Sequence, residues 1–287
     1  MVSGEDLAAL MDLNARLRTI LPPEYQDTSQ TVEPRPMRSA GLKYGADGRV
    51  AWDEIWGSFC DLAMAGGPPH KGILLEPASP AAIEAQPVRY QEVVEEIVRG
   101  VTMATDLPAR DSPHAGWVRV ECYSEVMAGW LLRAIVMENV AVRAEGRALD
   151  LPAAPGFRLD KEIKNVVTVI AKTCHYWLGH IPREQKADIA ALFEALAIAS
   201  PLIEPAWPAE GGSSPSATPR PGWRGEECPS VAAAIWMMRA LVVHNVLARR
   251  EGLRLFVPVN ATSDPKGDRV TRVLARVRHL ATVNHVL

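Results

Sequence analysis

Residues 116–152 read GWVRVECYSEVMAGWLLRAIVMENVAVRAEGRALDLP, and residues 222–258 read GWRGEECPSVAAAIWMMRALVVHNVLARREGLRLFVP. The second stretch follows the first at a constant spacing of 106, without a gap, and 17 of the 37 paired positions are identical. A self-similarity of this kind marks an internal duplication, in which one supersecondary unit is used again to extend a common core.

Each copy opens on Gly-Trp and reaches Glu-Cys, at Glu121-Cys122 and Glu227-Cys228. A long apolar segment follows, with Ser124 or Ser230 placed to cap it as a helix, because a serine hydroxyl accepts from a free first-turn N–H. Gly146 and Gly252 read as the helix stops, since glycine takes the left-handed conformation at C′ without a Cβ clash. Arg143, Arg249 and Arg250 then fall in the last turn, where cations suit the helix dipole. Asn139 and Asn245 come out mid-helix, and short strands are expected over 147–151 and 253–257. Around Trp130 and Trp236 the helices are apolar on nearly all sides, the pattern of a buried helix.

A second helix closes each unit. Val166, Val169, Ala171 and His175 match Val270, Val273, Ala275 and His279 at a spacing of 104. A third, more diverged copy is read ahead of both. Trp52, Trp56, Phe59 and Ala63 mark its first helix, 72–77 its strand, and Tyr90, Val93, Val94, Ile97, Val98 and Val101 its second helix at i, i+3, i+4, i+7 spacing. The expected fold is α/β and helix-rich, with internally duplicated helix–strand–helix units whose short strands run parallel, because helices separate successive strands.

The rest of the chain is divided around these units. Residues 1–45 give an amphipathic helix, with Ser3 and Asp6 in capping-box positions, and a proline-bearing arm suited to wrapping a neighbouring subunit in a homo-oligomer. The diverged copy spans 46–110, the second unit with an extra helix over 183–199 spans 111–204, a Pro/Gly/Ser-rich linker spans 205–221, and the last unit spans 222–287.

At 287 residues, with 48% hydrophobic and 23% charged side chains, the chain can bury a substantial core. A net charge of −3 speaks against nucleic acid as a partner. The four cysteines form no CxxC pair and suit a reducing compartment. With no signal-like N-terminal segment and no apolar run of about 18 residues, the expected location is the cytoplasm, away from the membrane.

The chemistry-bearing candidates are the polar residues that recur. Cys122 and Cys228 precede a helix N-terminus, where the dipole favours thiolate. Arg133 and Arg239 lie inside WLLRAIV and WMMRALV, and a guanidinium there needs a carboxylate, backbone carbonyls or an anionic ligand. Glu121 and Glu227 are the carboxylates in reach of that argument. His70 and Lys71, in the turn AGGPPHKG, bring two cationic groups among glycines and prolines. His175 with His180, and His279 with His285, have spacings that do not put both rings on one helical face, so no metal site is read. Arg269, Arg272 and Arg276 make a basic stripe, read as a solvated face. The functional expectation is an enzyme acting on a small anionic metabolite in a cleft between units, with Cys122, Cys228 and His70 catalytic and Arg133, Arg239 and Lys71 holding substrate. The alternative is a ligand-binding or assembly protein without turnover. Nothing in the motifs names a cofactor.

Overall fold

The structure, a computed structural model, describes residues 3–28, 41–58, 61–207 and 222–287. In chain order the helices are α1 (Gly4–Ile20), α2 (Pro80–Ala85), α3 (Pro87–Thr105), α4 (Glu125–Met137), α5 (Lys164–His175), α6 (Arg183–Ala199), α7 (Val231–Val242) and α8 (Asp268–Val283). The strands are β1 (Ala109–Asp111), β2 (Trp117–Glu121), β3 (Arg143–Glu145), β4 (Ala148–Pro152), β5 (Trp223–Glu227), β6 (Arg249–Glu251) and β7 (Arg254–Pro258). The described residues divide into two units. A central unit takes 41–58, 61–62 and 70–179, and a terminal unit takes 3–28, 63–69, 180–207 and 222–287.

In the central unit the Trp-Val-Arg-Val-Glu segment becomes β2, and α4 begins where Ser124 Oγ accepts the Met127 N–H at 3.1 Å. Asn139, at φ 61°, ends that helix. Asparagine visits this left-handed region more readily than other residues that carry a Cβ, and its side-chain Nδ2 then donates to the Lys71 carbonyl at 3.0 Å. The chain returns as a hairpin, β3 to β4, turned at Gly146 with φ 57°. β4 lies between β2 and β3, with Trp117 opposite Pro152, Glu121 opposite Ala148 and Arg143 opposite Asp150. The sheet order is β1-β2-β4-β3, and every pair is antiparallel. The tight turn at Gly146 brings β4 back along its own unit, so no crossover is needed. α4 is buried along its length, with Trp130 at 0% exposure, and Trp130 stacks obliquely on Trp177 at 5.7 Å. α3 and α5 pack together.

The terminal unit repeats this order in a three-stranded antiparallel sheet, β5-β7-β6. Ser230 Oγ accepts the Ala233 N–H at 3.0 Å to start α7. Asn245, at φ 60°, ends it, and donates Nδ2 to the Ser200 carbonyl at 2.8 Å. Gly252, at φ 59°, turns the hairpin. α8 packs on α7, and α1 packs on α6, α7 and α8. Ser3 caps α1 by accepting the Asp6 N–H at 3.1 Å, as the sequence spacing predicts. Gln185 of α6 ties down the end of α1, its amide donating to the carbonyls of Thr19 at 2.9 Å and Leu21 at 2.7 Å.

A further correspondence lies outside the 37-residue stretch. Leu75 exchanges backbone hydrogen bonds with Asn139 at 2.8 Å and Ala141 at 2.9 Å, and Ile203 does the same with Asn245 at 2.8 Å and Leu247 at 3.0 Å. These are isolated parallel bridges, Leu75 to Val140 and Ile203 to Val246. They sit in LLEPAS at 74–79 and LIEPAW at 202–207, which share Leu, Glu, Pro and Ala. The backbone of this short repeat explains the glycines that open the two long copies. A Cβ on Gly116, at φ 88°, would meet the Ala78 carbonyl at 2.6 Å, and one on Gly222, at φ 74°, would meet the Ala206 carbonyl at 2.5 Å.

The structure corrects several expectations. The sheet strands are antiparallel, not parallel, because each hairpin folds back beside the strand that precedes its own helix. The helices end at Asn139 and Asn245, seven residues before the glycines read as stops, which turn hairpins instead. Residues 72–77 form a single bridge rather than a strand. Within 75–87 a short helix, α2, starts at Pro80, with Ser79 Oγ accepting the Ala82 N–H at 3.3 Å. Over 46–105 the described residues hold 3-10 turns at Trp52–Ser58 and Ala63–Ala65, then α2 and α3, not the strand, helix and hairpin of the other two stretches. Phe59, most of the arm (29–40) and most of the linker (208–221) lie outside the described residues.

Candidate functional site

Among the recurring polar side chains, the arginines are taken up by backbone. Arg133, 5% exposed, donates Nη1 to the Gly129 carbonyl one turn back on α4, at 2.8 Å. Arg239, at 0% exposure, donates Nε to the Met64 carbonyl. The neighbouring Arg250 donates to the Gly67 carbonyl at 3.2 Å. Thus the segment 63–69, drawn from an early part of the chain, supplies acceptors to buried guanidinium groups of the terminal unit. Neither Glu121 nor Glu227 plays the expected part. Glu121 pairs with Arg110 at 2.9 Å and Arg147 at 3.6 Å, and Glu227 with Arg254 at 3.7 Å.

The cysteines sit where a thiol stays protonated. Burial pushes Cys122 up to about 12, and the adjacent Glu121 carboxylate adds to the shift. Cys228 is also raised, by burial first, with Arg278 opposing. Cys174 is raised well above the ordinary thiol value, by burial and then by Cys122. The helix-dipole argument is outweighed because these thiols are buried in the core: the cost of desolvating a thiolate exceeds what a helix end returns.

The glycine-proline turn leads to a different group of residues. Lys172 of α5 and Glu138 at the end of α4 are both completely buried and form an ion pair at 2.8 Å. The His70 N–H donates to the other oxygen of the same carboxylate at 3.2 Å, and Lys172 Nζ reaches the Asp61 carbonyl at 3.4 Å. Next to them, Lys71 Nζ pairs with Glu162 at 2.9 Å. Burial would raise the Glu162 carboxyl, but hydrogen bonds from Arg158 and Lys71 hold it down at about 2. The His70 imidazole is lowered to about 3, by burial first and then by the Lys172 and Lys164 ammonium groups. It is neutral at physiological pH. The structure therefore gathers His70 and Lys71 beside a buried ion pair. Lys172 and Glu138 have no exposed surface, while His70 and Lys71 are partly exposed.

The histidines read against a metal are dispersed. His175 is exposed, with its ring edge-on to Tyr176 at 5.9 Å, His180 pairs with Glu24 at 2.6 Å, and His279 with Asp6 at 2.8 Å. Asp6 is lowered to about 2 by hydrogen bonds from Ser3 and His279. Among the described residues, no three His, Cys, Asp or Glu side chains gather closely enough to share a metal ion, and no helix is long and apolar enough to cross a membrane.

One pair of residues escaped the sequence reading, and one stripe it named is less simple than expected. Glu138 and Lys172 were hidden because each is the lone charge at the edge of an apolar run, MEN and IAKTC, where a snorkelling side chain is the ordinary outcome. The basic stripe on α8 is not uniform either. Arg276 pairs with Asp6 at 3.2 Å, Arg269 bonds the Ser200 hydroxyl, and Arg272 is exposed. Comparison with family models, with curated proteins and with solved structures finds no match.

Proposed function

We propose that the chain binds a small anionic molecule without transforming it. The observation that carries this reading is the use to which the fold puts its recurring polar groups. The thiols of Cys122 and Cys228 are held protonated, and Arg133 and Arg239 are bonded to backbone carbonyls. The cluster of Lys172 with Glu138 and His70 is buried at its ion pair. A nucleophile–base–orienter set needs its reacting atoms within hydrogen-bond reach of a substrate, and these groups are committed elsewhere. Cations near the surface, by contrast, can recognise an anion at little structural cost. Arg269 and Arg272 of α8 are such groups.

Native mass spectrometry of the intact, purified chain tests this. The expected result is a small anion retained at near-stoichiometric amount and released with unchanged mass after incubation. Steady conversion of the retained molecule to a product would overturn the reading, as would a chain that retains nothing and gains no thermal stability from any member of a millimolar panel of small organic and inorganic anions.

A further inference from the structure

The junction between α6 and the residues that follow it faces the first turns of α8 across an open groove of about 400 Å³, lined by Ala199, Ser200, Pro201, Arg269, Arg272 and Val273. Three features make this groove unlike a plain solvated helix face. Arg269 is pinned: its guanidinium donates to the Ser200 hydroxyl and to the Pro201 carbonyl on the opposite wall. That wall is itself fixed, because the Ser200 carbonyl accepts from Asn245 at 2.8 Å and Ile203 is bridged to Val246. Arg272, one turn further along α8, is exposed to the groove and has no hydrogen-bond or ion-pair partner among the described residues.

The backbone at the start of α8 does not compete for a ligand. Asp264 already accepts the N–H groups of Arg269 at 3.2 Å and Val270 at 2.9 Å. Positive charge at this groove is therefore carried by the two guanidinium groups, one held in place and one available. A guanidinium presents paired N–H donors in a planar fork that matches the oxygens of a phosphoryl or carboxylate group. The volume is in the lower range of small-molecule sites. It suits a compact oxyanion rather than an extended polymer.

The equivalent place in the central unit lacks this chemistry. At the spacing of 104 that relates α5 to α8, Arg269 corresponds to Asn165 and Arg272 to Thr168, and Thr168 is 7% exposed. The two positions are thus arginines in one copy and uncharged residues in the other.

We infer that the Ser200–Arg272 groove of the terminal unit is a binding site for a compact oxyanion, with Arg272 as the principal contact and Arg269 as its positioned neighbour. This rests on the proposed binding function and gives it a location. Calorimetric titration of the full chain with pyrophosphate and, separately, with citrate tests the site and separates phosphoryl from carboxylate recognition. The expected result is saturable binding of one of the two, weakened at least tenfold by Arg272→Met and little changed by Arg276→Met on the same helix. Binding that survives Arg272→Met would overturn the site while leaving the proposed function in place. Equal weakening by both substitutions would overturn it too, since it would report general charge rather than a groove. If neither probe binds the wild-type chain, the oxyanion site is refuted, and the identity of any anion seen by native mass spectrometry then decides the broader function separately.

Discussion

At the centre of its sheet the central unit places Asp150, 2% exposed, directly opposite Arg119, which grips it with two hydrogen bonds of 2.8 and 3.0 Å. Arg143 lies 3.6 Å from the same carboxylate. At the matching place the terminal unit has Phe256 opposite Gly225. The arginine that corresponds to Arg143, Arg249, lies over the Phe256 ring at 4.1 Å and over Trp223 at 4.9 Å, and pairs with Glu251 at 2.7 Å. One copy satisfies its sheet arginines with a buried carboxylate, the other stacks its arginine on π faces. The ends of the long helices differ in the same sense. Glu138 and Lys172 form a buried pair in the central unit, while the residues at the equivalent positions are His244, bonded to the Ala240 carbonyl at 2.7 Å, and Arg276, on the surface with Asp6. The backbone devices are held constant: serine cap, left-handed asparagine, hairpin glycine, and the glycine under the alanine carbonyl. The partners of the buried charges differ around them. Residues shared between the copies thus report the demands of the fold, and residues that differ are the better place to look for function.

The strongest test of the shared part concerns Trp130 and Trp236, each fully buried. Changing either to alanine removes a fully buried indole from its core and should destabilise its unit by about 3–5 kcal/mol. Urea midpoints should fall by similar amounts for the two variants. A loss confined to one of them would break the equivalence of the two cores.

A second comparison should separate the units. Lys172→Met leaves the Glu138 carboxylate buried without its ammonium partner, and loss of one member of such a pair destabilises by about 3–5 kcal/mol. Arg276→Met, at the equivalent position, removes a surface pair with Asp6 and should stay within about 1 kcal/mol. Replacing both Lys172 and Glu138 by methionine should recover much of the first loss, since the unpaired charge is then gone. If the double variant is as unstable as Lys172→Met alone, the pair is not what closes this cluster.

Much of the architecture could be read from the sequence because it depends on local signals. Ser124 and Ser230 cap helices, Ser3 caps another, and the apolar helices around Trp130 and Trp236 are buried, all as their patterns predict. Strand direction could not be read the same way. It depends on whether a connection turns tightly or crosses over, and the deciding glycines, Gly146 and Gly252, were equally good helix stops. That error also moved the asparagines from helix ends to helix interiors. The repeat at 74–79 and 202–207 was too short to stand out, and its spacing of 128 differs from the 106 of the main duplication. At the level of sites, residue type alone favoured the recurring Cys and Arg. What distinguished them was burial, which a pattern of identities cannot report.

The finest comparison concerns the two asparagines. Asn139 and Asn245 have nearly the same φ, 61° and 60°, and each donates its amide to a backbone carbonyl, Lys71 at 3.0 Å and Ser200 at 2.8 Å. Glycine adopts this backbone conformation without strain, so Asn139→Gly and Asn245→Gly each remove mainly the side-chain hydrogen bond. The expected loss is about 0.5–1.5 kcal/mol per site. Alanine at the same positions keeps a Cβ in the left-handed region and should add about 1–2 kcal/mol to that loss. The difference between the alanine and glycine variants therefore isolates the backbone term, and it should be the same in both units. If the two differences diverge, the helix ends are not equivalent. If glycine matches the wild type at both sites, the amide bonds contribute nothing, and asparagine is present for its conformation alone.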